Sequence, residues 1–195
     1  MRLLQAQIEP HFLFNSLANV VSLIDSNPDK ARTMLEHLSD FLRISLQRTR
    51  SKNTTVRDEI NLLNAYLEIQ QVRMGDRLIF SIDSAETLLD HYLPALLVQP
   101  LVENAVKHGL ENSVDGGAIQ VQFRLKEQAL HISVMDSGVG MLQGTSKGVG
   151  LTNVRERLQL LYGDSAGLTL SANKPTGVRA ELVLPNSATE EPPIP

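Results

Sequence analysis

The chain has 195 residues, 42% apolar and 21% charged, a globular balance with enough length to bury a core. A formal net charge of −4 gives no general case for nucleic-acid binding, and the absence of cysteine excludes disulfides and thiolate metal sites. Five scattered histidines form no zinc-enzyme spacing, and no apolar run reaches membrane-spanning length.

Residues 1–75 read as helical. Phe14, Leu17, Val21 and Ile24 recur at helical spacing and form the stripe of a first helix. Asn27-Pro28-Asp29 breaks it, and Asp29 can start a second helix with Ala31, Leu35, Leu38, Phe41, Leu42 and Leu46 as its stripe. Ser51-Lys52-Asn53-Thr54 reads as a turn. A third helix runs from about Val56 to Met74, with Ile60, Leu63, Leu67 and Ile69 inward, and Gly75 caps it. The first helix is apolar over more of its circumference than one partner can cover. This predicts an antiparallel hairpin of the first and third helices within a homodimeric four-helix bundle.

From residue 76 the pattern changes. Leu78–Ile82 alternates like a strand, Leu96–His108 reads as a helix, and Ala118–Lys126 and Ala129–Met135 read as paired strands. A glycine-rich loop spans Ser137–Gly150. Leu151–Tyr162 is then a helix, and Leu168–Ala172 and Val178–Leu184 are strands. The expected class is α+β: a helical region over 1–75, one sheet with a few helices over 76–185, and a disordered tail over 186–195.

Three motifs carry chemistry. Glu103-Asn104-Ala105-Val106-Lys107-His108-Gly109 ends a helix. Asp136-Ser137-Gly138-Val139-Gly140 ends a strand. Gly148-Val149-Gly150-Leu151 opens a helix. An aspartate at a strand end can accept a hydrogen bond from the exocyclic amine of adenine, and Gly138 and Gly140 let a flat base approach the backbone. Gly148 and Gly150 free N–H groups to face phosphates at a helix start. The Asn104 carbonyl oxygen suits Mg²⁺, and Lys107, one turn on, can reach a phosphate. His108 can touch a phosphate or simply favour the helix end electrostatically. Taken singly, each motif is a turn or a cap; in this order, with strands and a helix between them, they are specific. No Walker loop and no dinucleotide fingerprint is present.

Residues 90–185 resemble the Bergerat-type ATP-binding domain of histidine kinases, DNA gyrase, the Hsp90 chaperones and the MutL proteins. Asn104 matches its N box, Asp136–Gly140 its G1 box and Gly148–Leu151 its G2 box. The resemblance implies ATP with Mg²⁺ and a lid over Met141–Lys147. The hydrolysing members carry a glutamate four residues before the N-box Asn, where this chain has Pro100. Glu103 is displaced by about 100° around the helix. A phosphoryl acceptor other than water is therefore expected.

His11 can be that acceptor. A neutral imidazole offers a ring nitrogen as nucleophile, and phosphoryl transfer needs positioning more than covalent chemistry from the protein. His11 lies about 100° from the apolar stripe, and Asn15 is one turn further on the same face. Pro10 either kinks the helix or starts it.

The segment Gln5–Leu17, with Pro10-His11-Phe12-Leu13-Phe14-Asn15 at its centre, closely resembles the LytS-like sensor histidine kinases, as does Pro100–Gly109. That resemblance covers nearly the whole chain. It implies autophosphorylation on His11, then transfer to an aspartate of a response regulator, often of the LytTR DNA-binding type. Two departures stand out. Phe12 occupies the place of the acidic base found in the commonest histidine kinases, with Glu9 about 160° away, and Ala18 precedes Asn19. The family's membrane sensor part lies upstream, so the location expected is cytoplasmic, on the inner-membrane face where such a part exists. The alternatives are a Bergerat ATPase, a Ser/Thr kinase of the anti-sigma type, and a non-catalytic nucleotide-binding adaptor.

His37, His91 and His131 have no partner at useful spacing and read as structural or solvated. Arg43, Arg48, Arg50 and Lys52 form a basic end to the second helix, either a solvated face or a contact for an acidic regulator or lipid headgroups.

Overall fold

The computed structural model describes residues 10–48, 53–140 and 149–186. The Met141–Lys147 lid, Gly148, Glu9, Arg50, Lys52 and the tail beyond Asn186 lie outside the described residues, as does the stretch before Pro10 on which a kink would depend.

Three helices open the structure: α1 over Pro10–Ile24, α2 over Pro28–Arg48 and α3 over Val56–Met74. The break between α1 and α2 has a local cause. Asn27 Oδ1 accepts the Lys30 N–H at 3.1 Å, so Asn27, rather than Asp29, caps α2, and Pro28 takes the first helical position. The start of α3 is a capping box, in which Thr55 accepts the Asp58 N–H and Asp58 accepts the Thr55 N–H. Gly75 ends α3 at φ 61°.

The hairpin partner of α1 differs from the expectation. α1 packs along α2, and α2 along α3. Chain neighbours joined by a short break form the antiparallel pair, and α3 is drawn away because it also packs on the sheet region, against the helix Gln99–Asn104 and the strand Leu78–Ser84. The α1 side that meets the core carries Phe12, Ser16 and Val20. The predicted stripe faces the other way, with Phe14 69%, Leu17 41%, Val21 68% and Ile24 52% exposed.

The sheet region forms one five-stranded sheet in the order β2-β4-β5-β7-β6. Its strands are β2 (Leu78–Ser84), β4 (Gly117–Lys126), β5 (Ala129–Asp136), β6 (Gly167–Ala172) and β7 (Val178–Pro185). β2 pairs in parallel with β4, and the other neighbours are antiparallel. β4 and β5 pair as expected; β4 alternates buried and more exposed residues, whereas in β5 Ile132, Ser133 and Val134 are buried in succession. A two-stranded antiparallel sheet of β1 (Asn53–Thr55) and β3 (Tyr92–Pro94) was not anticipated, and it takes Asn53 and Thr54 out of the expected turn. A continuous apolar core runs from Val20, Leu38 and Phe41 through Leu63 and Leu67 to Leu101, Val121, Ile132 and Leu182. The result is the mixed helix-and-sheet class that the sequence predicts.

The helix expected over Leu96–His108 divides in two. α4 covers Gln99–Asn104, and Ala105–Leu110 widens into a π turn. Before it, Leu96 adopts φ 61°, a left-handed conformation that a leucine rarely takes. The last helix is α5, Val149–Tyr162.

Candidate nucleotide site

A cavity of about 700 Å³, part of it open to solvent, lies between α4 with its π turn, the end of β5 and the start of α5. Its walls are mostly apolar, with Leu101, Val134, Leu151 and Ala180 among them, and a few polar groups converge on it. The sequence-predicted residues Asn104, His108, Asp136, Gly140 and Leu151 all line this space.

Asp136 is the buried polar end of β5, only 4% exposed. Its Oδ1 accepts the Gly138 N–H at 2.9 Å, and a backbone N–H at Val178 also serves the carboxyl. Burial nevertheless raises its pKa above the ordinary carboxylate range, the two backbone hydrogen bonds opposing the shift. Gly109 and Gly138 enclose it. A Cβ at Gly109 would stand 2.7 Å from Asp136 Oδ1, and one at Gly138 would stand 2.2 Å from the Gly109 carbonyl oxygen. Here glycine serves close approach of backbone to backbone.

Asn104 sits on the opposite wall. Its Nδ2 donates to the Pro100 carbonyl at 2.6 Å. That bond orients the amide and directs Oδ1, the hard oxygen, away from the helix backbone, the donor chemistry that suits a Mg²⁺–phosphate group. A Cβ at Gly150 would stand 3.5 Å from Asn104 Nδ2, so the first turn of α5 lies against this residue. Lys107 is exposed and off the cavity lining, whereas His108, also exposed, is on it.

Other residues at the site escaped the sequence reading. Asn112 lines the cavity, and its Nδ2 donates to the Lys107 carbonyl at 3.3 Å, capping the π turn. Asn173 Nδ2 donates to the Asp136 carbonyl at 2.7 Å, and Thr176 Oγ1 donates to the Ser137 carbonyl at 3.2 Å. The β6–β7 connection therefore braces the Asp136 strand end. Its Asn-Lys-Pro-Thr-Gly composition was a visible turn signal, but nothing in it named the partner strand.

His11 is exposed on α1, with the Asn15 Nδ2 atom 3.2 Å from its Nδ1. The next residue turns inward: the Phe12 ring centroid is 5.3 Å from that of Phe41 and 5.2 Å from that of Tyr66. Two of the set-aside histidines do have partners. His37 Nδ1 is 3.0 Å from Glu68 of α3, and His131 Nδ1 is 3.4 Å from Glu181, which Arg179 also contacts. Helix packing and strand register, invisible as sequence spacing, supply both. Arg43 makes an exposed pair with Asp40 at 3.6 Å.

Comparison with known proteins agrees with this geometry. The family described as histidine kinase-, DNA gyrase B-, and HSP90-like ATPase matches residues 90–188, and the histidine kinase family matches residues 1–78. The chain is 35% identical over 187 residues to the sensor histidine kinase BtsS of Escherichia coli (strain K12), covering 95% of this chain and 33% of that protein. It is 36% identical over 203 residues to the sensor histidine kinase/phosphatase LytS of Staphylococcus aureus (strain Mu50 / ATCC 700699), covering 96% of this chain and 34% of that protein. It thus spans about a third of the length of these relatives. The fold is similar to that of the histidine kinase ThkA in its complex with the response regulator TrrA, with a TM-score of 0.51 at 15% identity over 92% of this chain and 60% of that one. With the buried Asp136 carboxylate, the Asn104 wall and the exposed His11 carried by elements of one packed core, the chain belongs to the histidine kinase-, DNA gyrase B- and HSP90-like ATPase family, and along nearly its whole length it is similar to the LytS sensor histidine kinases.

Proposed function

We propose that this chain is the kinase core of a two-component sensor, which phosphorylates itself on His11 and passes the phosphoryl group to an aspartate of a response regulator. One observation carries the reading. A cavity lined by Asn104, His108, Asp136, Gly140 and Leu151, with proline at the place of a water-activating carboxylate, shares one packed core with a helix that exposes a histidine. In this reading Asp136 accepts a hydrogen bond from the adenine amine, and Gly138 and Gly140 leave room for the base. Asn104, Gly150 and the start of α5 face the phosphates, with His108 at the rim; Lys107 and Gly148 are further phosphate contacts in this reading. Asn104 Oδ1 would hold Mg²⁺ together with the phosphates, and the bound ion supplies charge neutralisation on the transferring group.

A ring nitrogen of His11 attacks the γ-phosphorus, the bond from that phosphorus to the β–γ bridging oxygen breaks, and ADP leaves. The ring then loses its N–H proton. Asn15 steadies the imidazole from one turn away. The phosphoryl group moves next to a carboxylate oxygen of the regulator, of LytTR type by similarity to the LytS proteins. The exposed Phe14, Leu17, Val21 and Ile24 face is covered by a second copy of the chain, giving a homodimer. No described helix is long and apolar enough to cross a membrane.

The test is incubation with γ-labelled ATP followed by acid and base treatment. Acid-labile, base-stable label that vanishes in His11→Gln, with ATP affinity within a few fold of wild type, is the expected result. Label that persists in that variant removes His11 from the mechanism.

A further inference from the structure

α3 runs beside α4 and its π turn and grips them at two points, one at each end. At one end, Glu59, with no exposed surface, accepts the Val98 N–H at 3.3 Å where α4 begins. Midway, buried Tyr66 lies on the same face of α3. At the other end, Arg73 pairs with Glu111, which closes the π turn. Glu59, Tyr66 and Arg73 recur every seven residues, so they lie along one face of α3. The first and last of them are about 20 Å apart, and so are Val98 and Glu111 at a helical rise. The two elements therefore match in length and direction.

Apolar side chains alone would hold α4 against α3 while tolerating small slides. Hydrogen-bonded and charged contacts at both ends fix a register. The same Tyr66 packs against Phe12, the neighbour of His11, with its ring tilted by 39°. We propose that Glu59, Tyr66 and Arg73 are positioning residues that set the register of the Asn104 helix against the His11 hairpin. They act through Asn104 and touch neither nucleotide nor phosphoryl group. The kinetic arm of this inference rests on the phosphotransfer reading above; the binding arm rests only on Asn104 facing the metal–phosphate group.

The test is calorimetry of ATP, with and without Mg²⁺, on the whole chain. Arg73→Glu should leave Mg²⁺-free ATP affinity within about twofold of wild type, because the Asp136 carboxyl is held by the backbone N–H groups of Gly138 and Val178, both outside the clasped elements. It should remove at least fivefold of the affinity gained on adding Mg²⁺, and lower the autophosphorylation rate more than it raises KM. The charge swap Arg73→Glu with Glu111→Arg should restore both quantities. Circular dichroism checks folding; should Arg73→Glu unfold, Arg73→Gln and Glu111→Gln carry the test, each with a smaller loss of the same gain. A full Mg²⁺ gain in the folded variants, a swap that restores nothing, or a wild type without any Mg²⁺ gain overturns the proposal. A wild type that shows the gain and its clasp dependence yet never labels His11 overturns the phosphotransfer reading and leaves the clasp standing.

Discussion

Replacing Asp136 with asparagine separates the role of the carboxylate in binding from its effect on the fold. The buried carboxylate has one oxygen engaged by the Gly138 N–H. In Asp136→Asn the amide oxygen keeps that bond, and the new NH₂ meets the adenine amine, donor against donor. A hydrogen bond to a charged acceptor contributes about 1.5–3 kcal/mol, so ADP affinity should fall roughly 10- to 100-fold. The apo protein should respond in the opposite sense. Burial raises the folded-state pKa of Asp136 above its unfolded value. Its protonated form therefore favours folding at acid pH, and that contribution is lost as pH rises through the folded pKa. At neutral pH the ionised carboxylate opposes folding, so the neutral asparagine should leave the apo melting temperature unchanged or higher. Wild-type nucleotide affinity should also weaken on acidification, starting at a pH above the usual carboxylate range, and Asp136→Asn should lack that dependence. Calorimetry with ADP across pH, with thermal melts of the apo forms, reads all three. Unchanged ADP affinity in Asp136→Asn would refute the placement of adenine.

Two more outcomes follow from geometry. Gly109→Ala puts a methyl 2.7 Å from Asp136 Oδ1, which must displace the carboxylate or the π turn. Overpacking of this kind costs about 1–3 kcal/mol, and ADP titration should show at least tenfold weaker binding; wild-type affinity would mean that the π turn yields freely. Leu17 is 41% exposed in the single chain, so Leu17→Glu should keep its helical circular dichroism and nucleotide binding while shifting to monomer in sedimentation and losing autophosphorylation. A wild type that is monomeric at micromolar concentration and fully active would refute the second copy on that face.

The sequence alone determined what is local or periodic. The start of α3 near Val56 and its Gly75 cap were legible because helix ends depend on neighbouring residues, although the Thr55–Asp58 capping box itself was not read there. Alternation marked β4 and β5, since the side-chain period of a strand is two. The motifs around Asn104 and Asp136 identified two cavity walls, because close approach and hard-oxygen chemistry restrict which residues can serve. The tertiary structure decided what covers what. The apolar stripe of α1 was legible, yet its exposure was not: periodicity finds an apolar face without saying which neighbour meets it, and α1 turned Phe12 and Val20 inward instead. The parallel β2–β4 pairing, the β1–β3 ladder and the His37–Glu68 contact join residues distant in the chain, so no spacing announces them. The π turn at Ala105–Leu110 was read as ordinary helix because its composition is helical. Its widening accompanies the packing of Gly109 against Asp136 and Gly138. Glu59 reads in sequence as one more acid in a first helical turn, where exposure to water is the rule. Only the packing of α3 along α4 puts it in the interior, because burying a carboxylate requires donors that the fold itself brings together.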